Sequence, residues 1–102
     1  MSDFKEIIAS SKPTLVDFFA TWCGPCKMQS PILEQLKAKI GDEATILKVD
    51  VDKAPDIAAE YMVRSVPTII IFKNGEPQWR TAGLTQFEVL EDKIRTQLEP
   101  GK

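Results

Sequence analysis

The sequence contains no histidine and only two cysteines, Cys23 and Cys26, among its 102 residues. The absence of histidine excludes serine–histidine and cysteine–histidine catalysis and any Cys/His zinc site built within one chain. Two cysteines are also too few for a four-thiolate site. A disulfide between them would close a loop too small to stabilise the fold much through chain entropy. We therefore expect the pair to serve chemistry; a structural disulfide or two spectator thiols is the alternative.

Long apolar runs and blocks of like charge are also missing. No segment approaches the roughly 20 apolar residues of a membrane-spanning helix, and the first six residues lack the basic and apolar parts of a secretory signal. The 13 Lys and Arg residues against 15 Asp and Glu residues give a net charge of −2. This composition does not indicate binding to nucleic acid or to a membrane. We expect one domain over residues 1–102 that acts as a cytoplasmic monomer.

Hydrophobic periodicity predicts the element order α-β-α-β-α-β-β-α, an α/β fold. A turn at Lys73-Asn74-Gly75-Glu76 makes the last two strands antiparallel, so the sheet is mixed, with helices on both faces. The second helix is expected to bury a stripe that includes Met28 and Leu36. The predicted helices are Asp3–Ser10, Met28–Ile40 (following the cysteines), Ala54–Tyr61 and Gln86–Leu98, and the predicted strands are Thr14–Ala20, Thr45–Asp50, Val66–Phe72 and Gln78–Ala82.

The two cysteines lie between an apolar strand and a helix. Positions three apart share a helix face, so the two sulfurs are able to approach to bonding distance. A strand, a Cys-x-x-Cys segment and a helix within an α/β pattern are typical of a redox site. The free N–H groups and dipole at a helix start favour the thiolate of Cys23. Cys26, one turn further, is expected to be less exposed.

Four other residues are candidates with competing interpretations. Asp17 interrupts the apolar strand, where burial raises the pKa of a carboxyl group, unless it is a strand-end carboxylate in solvent. Lys48 stands alone in an apolar strand. It is either the neighbour of Asp17 or a lysine at the edge of the sheet whose aliphatic chain covers apolar surface while its ammonium group reaches solvent. Pro67 opens a β-rich run, where a trans bond is the ordinary expectation. Trp22 flanks Cys23 and is either a contact surface or a partly buried core residue.

Several motifs together resemble the thioredoxin family over nearly the whole chain. A bare Cys-x-x-Cys is a weak signal, but the combination with a downstream Val-Pro-Thr strand and a Lys-Asn-Gly hairpin is very specific. The resemblance rests on the segment 17–27 (DFFATWCGPCK), Pro31, Lys48, Asp52, Val66-Pro67-Thr68, the segment 72–76 (FKNGE) and Gly83.

The resemblance implies a thioredoxin-like fold and a thiol–disulfide oxidoreductase that reduces disulfides in other proteins. In such a protein Cys23 attacks and Cys26 resolves, while Asp17, with Lys48 as its neighbour, assists proton transfer through water. The resemblance also implies a cis bond before Pro67. A protein substrate would contact Trp22, Gly24, Pro25, Val66, Pro67 and Gly83.

The resemblance further implies recycling by an NADPH-dependent thioredoxin reductase, with no cofactor bound to the chain itself. The family's more oxidising members carry histidine between the two cysteines, so Gly24 and Pro25 indicate a reductant.

Two other functions are compatible with the sequence. One is a binding module that uses the apolar rim around Trp22, Val66 and Gly83 without redox turnover. The other is a metal protein in which two chains share Cys23 and Cys26 around zinc or an iron–sulfur cluster.

One departure from the family concerns the start of the chain. The family has a short strand before the first helix, and only three residues precede Phe4 here. We expect this strand to be missing, which leaves four strands and an edge at residues 46–49 that is exposed or covered by something else.

Overall fold

A computed structural model describes residues 2–100, so residue 1 and residues 101–102 of the predicted domain lie outside it. Within the described residues, four helices and four strands follow one another in the predicted order, with a short 3-10 turn at Gly41–Glu43. The helices are α1 (Ser2–Ile8), α2 (Gly24–Ile40), α3 (Pro55–Glu60) and α4 (Phe87–Leu98), and the strands are β1 (Thr14–Phe19), β2 (Thr45–Asp50), β3 (Thr68–Lys73) and β4 (Glu76–Ala82).

The four strands form one mixed sheet in the order β2-β1-β3-β4. β1 pairs in parallel with β2 and antiparallel with β3, and β3 pairs antiparallel with β4. The central strands β1 and β3 are buried on both faces, which is why their sequences read as nearly continuous apolar runs.

Two hydrophobic cores lie on opposite faces of this sheet. Alternate residues of a strand point to opposite faces, so neighbouring residues of β1 enter different cores. Val16 packs with Phe4 and Ile57, from α1 and α3, whereas Leu15 packs with Leu36 and with residues of α4. The sheet is therefore held between two helical layers, and the loop after β1 emerges between them.

The hairpin between β3 and β4 begins pairing earlier than the sequence predicted. Asn74 and Gly75 both have positive φ, at 55° and 83°, as a two-residue hairpin turn requires. Lys73 then pairs directly with Glu76, so β4 starts there and the predicted start at Gln78 is wrong. Pro77 is tolerated because β4 is an edge strand with an irregular register at this point.

The inward face of α2 also differs from the prediction. Met28 is 61% exposed, and the buried residues of the helix are Cys26, Gln29, Leu33, Leu36 and Ile40. These positions follow the spacing of one helix face from Cys26 onwards, so Gln29 occupies the place expected for an apolar side chain. The prediction for Met28 is wrong because its position lies off this face of the helix, although its side chain is apolar.

The expected loss of the first family strand is confirmed in the described part of the chain. β2 is an edge strand, and within residues 2–100 no strand pairs with its outer side. An apolar groove of about 560 Å³ runs along this edge, with walls from α1, β2 and α3 that include Phe4, Leu47 and Ile57. The edge is thus left open to solvent.

Candidate active site

The two cysteines sit at the N-terminus of α2 and are joined by a disulfide bond. Cys23 is the N-cap residue, and its sulfur accepts a hydrogen bond from the backbone N–H of Cys26 at 3.1 Å. Both cysteines are only 4% exposed, so the expectation that Cys26 is the less exposed of the two was wrong. The sulfurs are held at the start of a helix, where backbone N–H groups favour negative charge on sulfur.

Local sequence explains why the chain turns into α2 at this point. β1 ends at Phe19, and the backbone N–H of Cys23 donates to the carbonyl of Ala20 at 3.2 Å to close the turn. Gly24 is the first residue of the helix, and Pro25 lies in its first turn. Backbone N–H groups in the first turn have no acceptor within the helix, so the absence of an N–H in proline costs no hydrogen bond, and its fixed φ suits helical geometry. The cysteine spacing and the helix start therefore come from the same five residues.

The segment around Pro67 lies against the disulfide. The Val66–Pro67 peptide bond is cis, as the resemblance implied. Val66 packs against the cluster that contains both cysteines, and the Pro67 carbonyl accepts a hydrogen bond from the backbone N–H of Gly83 at 2.8 Å. Gly83 has φ +95°, a backbone conformation that side-chain-bearing residues rarely adopt. The structure thus brings together three predicted substrate-contacting residues, Val66, Pro67 and Gly83.

Trp22 forms the most exposed apolar surface beside the cysteines. Its side chain is 70% exposed, which excludes the partly buried core interpretation. The indole N–H donates to a carboxylate oxygen of Asp52 at 2.9 Å, which fixes the ring. A small cavity of about 130 Å³ separates the indole from Val66. Trp22 therefore offers a flat apolar surface in a defined orientation.

Asp17 is fully buried in the middle of β1, and neither of its carboxylate oxygens has a hydrogen-bond partner among the described residues. Burial raises its pKa to about 6, and the positive charge of Lys48 opposes this effect. The interpretation of Asp17 as a solvent-exposed strand-end carboxylate is therefore wrong. A buried carboxyl group with a pKa near neutrality is able to give up and take back a proton under physiological conditions.

Lys48 lies directly opposite Asp17 in the parallel pairing of β1 with β2. Its ammonium group donates to the hydroxyl of Ser30 at 2.6 Å and lies 4.7 Å from the centre of the Phe19 ring. It makes no hydrogen bond to Asp17, so the two residues interact through charge alone. Lys48, Ser30 and Cys26 line one cavity of about 210 Å³, and Asp17 is not among the residues that line it.

Comparison with known proteins identifies the family. The family model described as Thioredoxin matches residues 1–96. This chain belongs to the thioredoxin family. A thioredoxin of Rickettsia felis is 46% identical over 90 residues, which cover 88% of this chain and 86% of that protein. The solved structure of a mutant thioredoxin from Halobacterium salinarum has 33% sequence identity and a TM-score of 0.90, and the match covers 100% of this chain and 88% of that one.

A further relative is named "Bifunctional thioredoxin reductase/thioredoxin", from Mycobacterium leprae. It is 48% identical over 82 residues, which make up 80% of this chain and 18% of that longer protein. Thioredoxin-family membership together with the bonded Cys23–Cys26 pair makes this chain a thiol–disulfide oxidoreductase with protein-disulfide reductase activity.

The sulfurs of Cys23 and Cys26 are bonded to each other, so neither is free to ligate a metal in this oxidised form. Within residues 2–100, no group of three or more His, Cys, Asp or Glu side chains could hold a metal ion. In the same part of the chain, no helix is both long and apolar enough to cross a membrane.

Three residues of the site were not identified as functional from the sequence. Asp52 orients Trp22, Ser30 holds the ammonium of Lys48, and Gln29 bonds to the loop that follows Gly83. Asp52 was part of the thioredoxin resemblance but had no assigned role. Gln29 was recognisable from the sequence in one respect, because it is a polar residue at a position whose spacing belongs to the buried stripe of α2. Ser30 gave no such signal.

Proposed function

We propose that this chain reduces disulfide bonds in other proteins by a two-step exchange at Cys23 and Cys26. The Cys23 thiolate attacks one sulfur of the substrate disulfide, so that a mixed disulfide forms and the substrate's other sulfur leaves as a thiolate. The Cys26 thiol then loses its proton and attacks the sulfur of Cys23. The substrate's second thiolate is released, two electrons have passed to the substrate, and the Cys23–Cys26 disulfide remains. The observation that carries this proposal is the disulfide across the first turn of α2, beside Pro67 and an exposed Trp22.

Asp17 is the proposed general base for the second step. It is buried without a hydrogen-bond partner, and its raised pKa allows it to accept the proton of Cys26 through water near neutral pH. Lys48 is its proposed electrostatic partner, because it faces Asp17 across the strands and lines the same cavity as Cys26.

The proposed docking surface consists of residues around the disulfide. Trp22 supplies a flat apolar face, while Gly24 and Pro25 leave the space over the sulfurs without large side chains. Val66 presents its backbone next to the cysteines, where an extended substrate segment is able to bond to it, and the buried Pro67 lies directly behind it. Gly83 completes this surface through its bond to Pro67.

An NADPH-dependent thioredoxin reductase is the proposed source of electrons, and the chain itself is proposed to bind no cofactor. The bifunctional mycobacterial relative supports this partner, because its name joins a reductase and a thioredoxin in one protein. The test is an assay of NADPH oxidation with a thioredoxin reductase and a protein disulfide. Oxidation should depend on this chain, and a Cys23→Ser variant should show none.

The direction of exchange gives a quantitative prediction. We expect a reduction potential for Cys23–Cys26 near the established thioredoxin value of about −270 mV, because no cation lies between the two cysteines to stabilise the dithiol form. The measurement equilibrates the protein in defined thiol buffers and follows the fluorescence of Trp22. A potential above about −200 mV would instead indicate an isomerase or an oxidant.

The chain is further proposed to act as a single-domain monomer in the cytoplasm. A reducing couple works where thiols are kept reduced, which supports the cytoplasmic location. We expect sedimentation velocity to give a mass near 11.4 kDa at micromolar concentration, for oxidised and reduced protein alike. A concentration-dependent shift to twice this mass would contradict the monomer, and fractionation of cells would test the location.

A further inference from the structure

Gln29 is a fully buried polar residue in α2, three positions after Cys26. Its side-chain amide makes two reciprocal hydrogen bonds with the backbone of a single distant residue. The Gln29 amide nitrogen donates to the carbonyl oxygen of Thr85 at 3.0 Å, and its oxygen accepts from the N–H of Thr85 at 2.9 Å. One side chain therefore satisfies both backbone groups of Thr85.

Glutamine suits this position for a chemical reason. The amide side chain of glutamine carries both a donor and an acceptor in one rigid plane at every pH, as a backbone peptide group does. An apolar side chain here would leave both the N–H and the carbonyl of Thr85 without these partners. A glutamate would keep the acceptor but place its second oxygen against the Thr85 carbonyl. Each of these losses is costly, because Gln29 and Thr85 are both buried.

A continuous set of hydrogen bonds leads from Thr85 to the proposed docking surface. The Thr85 hydroxyl donates to the carbonyl of Gly83 at 3.0 Å, and the N–H of Gly83 donates to the carbonyl of Pro67 at 2.8 Å. Val66, next in the chain, packs against the cysteines. The helix that carries Cys26 thus holds, through Gln29, the loop on the far side of the disulfide.

We propose that Gln29 is a positioning residue that fixes the loop 83–85 for the docking of protein substrates. This inference rests on the proposed function and adds a determinant of substrate class to it. A small disulfide reaches the sulfurs without contacting the loop, whereas a protein disulfide brings a backbone segment that has to fit between Trp22 and Gly83. Loss of the Gln29 bonds therefore affects protein substrates more than small ones.

The test compares two substrates on three proteins: the wild type, Gln29→Met and the control Leu33→Val. Methionine is similar in length to glutamine but lacks both hydrogen-bonding groups. Leu33 is buried one turn further along α2 and contacts the core, so its substitution weakens packing without removing a bond to the loop. Insulin serves as the protein disulfide and the linear bis(2-hydroxyethyl) disulfide as the small one, with each variant assayed below the temperature at which it unfolds.

We expect Gln29→Met to lower kcat/KM for insulin about tenfold more than for the small disulfide, mainly through KM, because two buried backbone groups lose their partners. Leu33→Val should change kcat/KM for both substrates equally. Thr85→Val, which removes only the hydroxyl link to Gly83, is a second selective variant if Gln29→Met does not fold.

Two results would overturn the inference: an equal loss for both substrates, which indicates a purely structural role, or no loss for either. Failure of the wild type to reduce insulin would instead count against the proposed function.

Discussion

Cys26→Ser should abolish turnover and leave substrate proteins covalently bound to Cys23. The variant keeps the attacking sulfur at the N-cap of α2 but lacks the sulfur that releases the mixed disulfide. A hydroxyl is a far weaker nucleophile than a thiolate at neutral pH, so we expect a fall in turnover of at least about 10³-fold. Non-reducing electrophoresis with a defined protein disulfide would show the adduct, and mass spectrometry would locate the bond at Cys23.

Cys23→Ser is the matched control for this experiment. It should also be inactive, but it should form no adduct, because the remaining thiol is the one that attacks second. Equal amounts of adduct from both variants would mean that either cysteine is able to attack first. Normal turnover by Cys26→Ser would show that the assigned roles are wrong.

Asp17→Asn should become more stable relative to the wild type as the pH rises. The free energy of unfolding of the variant minus that of the wild type should be about 3 kcal/mol larger at pH 8 than at pH 4. The size follows from the raised pKa of Asp17, from 3.8 to about 6, at 1.36 kcal/mol per pKa unit. Asparagine resembles the protonated acid, so the cost of burying an unpaired polar group is similar in both proteins at low pH. Only the wild type has to bury a charge at high pH.

The sign follows from proton linkage. Because the folded state of the wild type holds the Asp17 proton more tightly than the unfolded state, the contribution of this proton to stability is complete below about pH 4. It is lost as the pH rises through about 6. Urea unfolding of both proteins at several pH values would measure the difference. Asp56→Asn, at an exposed position of α3, is the control and should show no such pH-dependent gain. A difference between Asp17→Asn and the wild type that does not change with pH would contradict the raised pKa.

Asp17→Asn should also resolve mixed disulfides more slowly than the wild type. Loss of a general base lowers the rate of proton transfer by about 10²-fold or more. In the wild type the resolution rate should rise with pH through about 6, as Asp17 loses its proton, and this rise should be absent in Asp17→Asn. Stopped-flow measurement of Trp22 fluorescence would follow the step. An unchanged rate would remove Asp17 from the mechanism while leaving the stability prediction intact.

The cysteine pair and Asp17 were predictable because their signals are local. A Cys-x-x-Cys segment at a strand–helix junction defines its own geometry, and a carboxylate between Val16 and Phe18 stands out in a buried strand. The hairpin was recognised for the same reason, although its pairing begins at Glu76. Short-range patterns therefore identified the fold and the chemical centre of the site.

The contacts that orient the site were not predictable, because they join distant parts of the chain. Trp22 bonds to Asp52, 30 residues away, and Gln29 bonds to Thr85, 56 residues away. Neither pair has a composition or spacing that marks it. The equal exposure of Cys23 and Cys26 also depends on residues brought in from elsewhere, notably Val66. Such contacts appear only after the sheet has set the positions of the helices.

The open edge of β2 has a consequence for the solubility of the protein. Thr45 and Val51 donate their N–H groups towards the β1 side, so the alternate backbone groups of Ile46 and Lys48 face outwards, where another chain is able to pair with them. Natural sheets protect such edges with charged side chains, especially lysine. Lys48 stands in the middle of this edge and would meet a second Lys48 in the most symmetric antiparallel pairing. We therefore expect the charge of Lys48 to oppose pairing between the β2 edges of two copies of the protein.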